Sequence, residues 1–85
     1  MTHYKILLTK EAIKDVQKLT PKLQTKLRNI LVNVLSENPY LGKGLTGDLK
    51  GNYSYRLTLK DRIVYSIDEA KKAVYIKRAR SHYGD

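Results

Sequence analysis

The stretch YIKRARSHYGD, residues 75–85, places Lys77, Arg78 and Arg80 ahead of an adjacent imidazole and phenol, His82 and Tyr83, with no acid before Asp85. Two further arginines, Arg56 and Arg62, stand in the alternating segments YSYRLTL and DRIVYSID. Lys43, Asp48 and Lys50 lie in the glycine-rich run just before them. These residue types suit phosphodiester cleavage in RNA. A base removes the proton of a 2′-OH, cations stabilise the charge that grows on phosphorus, and an acid protonates the departing 5′-oxygen. Histidine titrates near neutral pH and can fill either proton-transfer role. Arginine holds phosphate oxygens in a fork and keeps its charge. Tyrosine is a weak base but a good platform for a nucleobase. Each residue also has a plainer use: a solvated strand face for Arg56, an ion pair with Asp61 for Arg62, core packing for the tyrosines.

Such residues work together only if the chain gathers them. HYKILLT reads as a strand with Tyr4, Ile6 and Leu8 on one face. Thr9 is an N-cap candidate for a helix with an apolar stripe of Ala12, Ile13, Val16 and Leu19, and Glu11 suits its first turn. Thr20 and Pro21 open a second helix, where proline's missing N–H costs nothing. Its stripe is Leu23, Leu27, Ile30, Leu31, Val34 and Leu35, and Asn38-Pro39 stops it. YLGKGLTGDLKGN reads as a long loop, a length often used for function. Three strands follow, over YSYRLTL, RIVYSID and AVYIKRAR, the first two joined by a tight turn at Lys60-Asp61. The expected fold is therefore α+β, in the order β-α-α-β-β-β. A helical hairpin packs on one face of a small, mostly antiparallel sheet within a single domain, residues 1–85. Alternation puts Arg56 and Arg62 on the face away from the helices. On the last strand it gives Val74, Ile76, Arg78 and Arg80 one shared parity.

The chain has 85 residues, 17 Lys+Arg against 8 Asp+Glu, and a formal charge of +9. The excess runs through the whole length, so it belongs to the folded body and favours a polyanionic partner. With no cysteine, disulfides and thiolate metal sites are excluded. No metal-ligand spacing or cofactor motif is present, and Gly42-Lys43-Gly44 lacks the spacing of a phosphate loop. Met1–Leu8 does not read as a signal peptide, and no apolar run has the length of a membrane span. A cytoplasmic location with no membrane association is expected.

Taken in order, the motifs GKG, LKG, YSYRLT, DRIVYSID and SHY resemble the RelE/ParE superfamily of toxins from bacterial toxin–antitoxin pairs, and most nearly its Txe/YoeB branch. The resemblance covers nearly the whole chain and is strongest from Gly42 to Tyr83. It implies the RelE-like microbial ribonuclease fold and an endoribonuclease that cuts messenger RNA in the ribosomal A site. It also implies a small acidic antitoxin that wraps the toxin in a hetero-oligomer. By the same resemblance Arg62 stabilises the transition-state phosphate, His82 and Tyr83 form the terminal catalytic pair, and Arg56 and Lys50 bind phosphate. Arg80 and Lys43 extend that phosphate-binding set. Where the branch carries a glutamate as general base, this chain has Gly47, so that the role falls to Asp48 beside it, to His82 taking a larger part, or to lysine-assisted chemistry as in the RelE branch. Two other outcomes stay open. One is a non-nuclease toxin of the ParE kind that inhibits DNA gyrase, and the other a ribosome- or RNA-binding module with weak catalysis.

Overall fold

A computed structural model describes residues 3–81. Strand β1 (Lys5–Leu8) leads into helix α1 (Lys10–Gln17) and helix α2 (Pro21–Ile30). The helix continues through Leu31–Leu35 as a wider π-type turn, in which Ser36 N–H reaches back to the Leu31 carbonyl. Strands β2 (Lys43–Gly44), β3 (Asn52–Arg56), β4 (Asp61–Asp68) and β5 (Ala73–Ser81) complete the fold. They form one five-stranded sheet in the order β1-β5-β4-β3-β2. Only the β1–β5 pair is parallel. The helical hairpin on a mostly antiparallel sheet is the expected architecture, with one addition: the long loop contains the short strand β2 and two 3-10 turns.

Both predicted caps form. The Thr9 side-chain oxygen accepts from Ala12 N–H at 3.2 Å, and the Thr20 oxygen from Leu23 N–H at 3.3 Å. The stripe of α2 meets the sheet, so that Leu27, Ile30, Leu31 and Leu35 are buried against Leu57, Ile63, Tyr65, Val74, Ile76 and Ala79. In α1 the stripe is narrower than expected. Ala12 is buried and Val16 and Leu19 are half-buried, but Ile13 is exposed. Ile13 lies a 100° rotation from Ala12, whereas position 15, three residues on, returns to the buried side. That place is taken by a carboxylate, Asp15.

Two strand expectations are corrected. The β3–β4 connection is not a two-residue turn, because pairing stops at Arg56–Arg62 and Leu57–Lys60 form a loop. The N–H groups of Leu57 and Thr58 both donate to the Asp61 carbonyl, and the Thr58 hydroxyl accepts from the N–H groups of Lys60 and Asp61. The loop thus closes on itself and leaves Leu59 88% exposed. The second correction concerns β5. Val64 pairs with Arg78 and Tyr65 with Ile76, so Lys77 is an extra, unpaired residue, a β-bulge. The bulge breaks the alternation. Val74, Ile76 and Ala79 all face the helices, while Arg80 falls on the opposite side of the sheet.

Candidate nucleic-acid interface

Residues directly opposite one another on neighbouring strands share a face, with strands spaced about 4.8 Å apart. Arg56 on β3 pairs with Arg62 on β4, and Arg62 pairs with Arg80 on β5. Three arginines therefore form one rung across the sheet, on the side away from the helices. The next rung, two residues along, runs Lys43, Ser54, Val64 and Arg78 across β2 to β5. Arg56, Arg80 and Lys43 are exposed and Arg62 is half-buried. Like charges side by side oppose folding. Among the described residues no carboxylate lies within ion-pair distance of any of the three rung arginines. Asp61, the sequence neighbour of Arg62, accepts instead from the Thr58 hydroxyl at 2.9 Å. A row of guanidinium groups with no carboxylate partner among the described residues is suited to consecutive phosphates of a single-stranded nucleic acid.

Arg78 has a different task. Its guanidinium holds the Asp15 carboxylate through Nε at 2.8 Å and a second nitrogen at 3.2 Å, and Ala79 N–H donates to the same carboxylate at 3.1 Å. Burial alone would push the Asp15 carboxyl up. The hydrogen bonds from Arg78 and Ala79 outweigh it and hold the group below its ordinary value. Neither Asp15 nor this use of Arg78 stood out in the sequence. The available signal was an acid three residues after Ala12, inside the apolar stripe of α1.

Two of the three loop residues, Asp48 and Lys50, are not gathered with the arginines. Asp48 sits exposed in the 3-10 turn Gly47–Leu49, and Lys50 follows it, also exposed. Gly51, at φ 94°, then turns the chain into Asn52 at the start of β3. Four strand residues, about 13 Å, separate Asn52 from Arg56. Gly47 adopts φ 66°, a left-handed conformation that favours glycine. His82 and Tyr83 lie outside the described residues.

At the opposite end of the sheet Glu69, in the β4–β5 turn, accepts from the Tyr4 hydroxyl at 2.6 Å, from the Tyr40 hydroxyl and from Lys72 Nζ at 2.6 Å. Tyr40 packs edge-on against Tyr53, which stacks on Tyr65. The Tyr65 hydroxyl donates to the Pro39 carbonyl at 2.6 Å. This aromatic column anchors the segment that carries Lys43.

A two-helix hairpin behind a sheet whose open face bears a cationic rung defines a small cationic α+β domain. Comparison with known proteins makes the assignment specific. Residues 6–84 match the family described as ParE-like toxin of type II bacterial toxin-antitoxin system. Toxin RelE of Mycobacterium tuberculosis is 35% identical over 74 residues, covering 86% of this chain and 75% of that protein. Among solved structures, a chain of the RelBE2 toxin–antitoxin complex of M. tuberculosis superposes with a TM-score of 0.88 at 30% identity, covering 96% of this chain and 94% of its own. The YoeB dimer from Staphylococcus aureus gives 0.78 at 26% identity, covering 96% and 100%. The chain belongs to the ParE-like toxin family of type II toxin–antitoxin systems, with RelE and YoeB toxins among its relatives.

Proposed function

We propose that this toxin is an endoribonuclease that cuts messenger RNA in the ribosomal A site. The observation that carries the reading is the Arg56–Arg62–Arg80 rung, open and without carboxylate partners among the described residues. Arg62, flanked on both sides, contacts the scissile phosphate. Arg56, Arg80 and Lys43 hold the neighbouring phosphates. The 2′-oxygen attacks phosphorus as its proton passes to a base. The P–O5′ bond breaks, the 5′-oxygen takes a proton from an acid, and the products are a 2′,3′-cyclic phosphate and a 5′-hydroxyl. His82, one residue past the end of β5, serves in proton transfer, and Tyr83 stacks on or orients the base. Asp48 and Lys50, beyond the other end of β3, contact the RNA chain, and Asp48 acts as the base only if its loop folds inward.

The partner in this reading is an antitoxin, as the complexes solved for the relatives suggest, and the formal charge of +9 favours an acidic one. Its acidic segment lies over the arginine face and competes with RNA for it. The test is to add the purified protein to ribosomes stalled on a defined message and map the RNA ends. A break in the A-site codon ending in a 2′,3′-cyclic phosphate is expected. Arg62→Ala should slow it about 10²–10³-fold, the scale of losing one transition-state donor. Intact ribosome binding without any break would overturn the nuclease reading, and a supercoiling assay would then ask whether DNA gyrase is the target.

A further inference from the structure

Strand β1 covers the outer edge of β5 only as far as the Leu8–Ile76 pair. Beyond it, the β5 backbone at the bulge would face water or carry unpaired groups. Two side chains from the β1–α1 segment take over where the strand stops. The Thr9 hydroxyl donates to the Lys77 carbonyl at 3.2 Å, and the Asp15 carboxylate accepts from Ala79 N–H at 3.1 Å. Asp15 is nearly buried, its side chain 7% exposed, and its remaining lone pairs are filled by Arg78. The bulge these contacts hold is what puts Ala79 into the core and Arg80 beside Arg62.

We propose that Asp15 is a positioning residue of the nuclease site: it completes the β5 ladder past the end of β1 and so fixes the register in which Arg80 meets Arg62. The inference rests on the nuclease reading above. Asp15 touches no reacting atom in it and acts through Ala79 and Arg78. It also keeps Arg78 engaged, so that this arginine is not a fifth phosphate ligand beside Arg56, Arg62, Arg80 and Lys43. Without the carboxylate, Ala79 N–H has no acceptor, Arg78 is released, and the extra residue at 77 is free to shift along the strand. Arg80 then leaves the rung for part of the time.

The test uses Asp15→Ala and the conservative Asp15→Asn, with Arg80→Ala for comparison. Cleavage on stalled ribosomes is measured under single-turnover conditions and normalised to the folded fraction from circular dichroism. Amide exchange at Ala79 and Arg80 is followed in parallel. The expected result for Asp15→Ala is a maximal rate at least tenfold lower per folded molecule, ribosome affinity within about twofold, and faster exchange at those two amides. Asp15→Asn retains an acceptor for Ala79 and should recover part of the rate. A purely structural role would lower the melting temperature and leave the normalised rate unchanged, and that outcome overturns the inference. So does tighter ribosome binding by Asp15→Asn with full activity, which would make Arg78 a ligand held in reserve. If the wild type does not cleave at all, the nuclease reading fails. The exchange data then still decide whether Asp15 holds the ladder.

Discussion

At Gly42 the requirement is space. A Cβ there would collide with the Tyr65 hydroxyl and lie 2.9 Å from the Ser54 carbonyl oxygen. Tyr65 is fully buried and cannot swing aside. Gly42→Ala should therefore destabilise the fold by about 1–3 kcal/mol, as overpacking does, visible as a lower denaturant midpoint with unchanged slope. Tyr65→Phe should cost about 1 kcal/mol, through the lost hydrogen bond to Pro39 and the acceptor left behind. Burial pushes the Tyr65 phenol up to about 12, so it keeps this donor across the whole range in which the protein works. Arginine chemistry is just as particular. Arg62→Lys keeps the charge but loses the fork, and should recover little of the activity lost in Arg62→Ala.

Three chain segments that are distant in sequence meet at Glu69: the approach to β1 through Tyr4, the turn after α2 through Tyr40, and the β4–β5 turn through Lys72. The hydrogen bonds from Lys72, Tyr4 and Tyr40 lower the Glu69 carboxyl to about 2. A folded-state value below the unfolded one means a stabilising contribution that is present above the ordinary carboxylate range, about pH 4.3, and lost as pH falls toward 2. The melting temperature should drop across that window. Glu69→Gln should flatten part of the drop, while Asp15, shifted in the same direction, supplies part of the remainder. An unchanged acid profile in Glu69→Gln would show that the exposed cluster contributes nothing to the link between these elements.

Over the whole molecule the formal charge of +9 acts on association more than on fold. Four phosphate contacts, from Arg56, Arg62, Arg80 and Lys43, give a slope of about −2.8 in log K against log salt for single-stranded RNA. Affinity for RNA should then fall about fifty-fold between 50 and 200 mM salt. Arg56→Ala should make the slope shallower by about 0.7, whereas Lys14→Ala, on the exposed side of α1, should leave it unchanged. Equal changes in the two variants would mean that RNA sees a diffuse cationic surface and not the rung.

Much of this was legible in the order of residues, because it depends on local rules. Helix caps at Thr9 and Thr20, the stripe of α2, the alternation of β3 and β4, and the motifs from Gly42 onward require only neighbours along the chain, and they predicted a hairpin of helices on a small sheet. Arg56 and Arg62 were placed together by the same alternation. The position of Arg80 was not available in this way. A strand's parity argument assumes unbroken alternation, and the bulge at Lys77 inserts one residue without any residue type that announces it. Asp15 was equally hidden, since an acid within a helical stripe acquires meaning only from Arg78 and Ala79, more than sixty residues away. Composition and spacing determined a cationic α+β domain, and the resemblance carried by its motifs implied a toxin. Cross-strand register and one buried carboxylate, both long-range, decided which of its cations stand side by side.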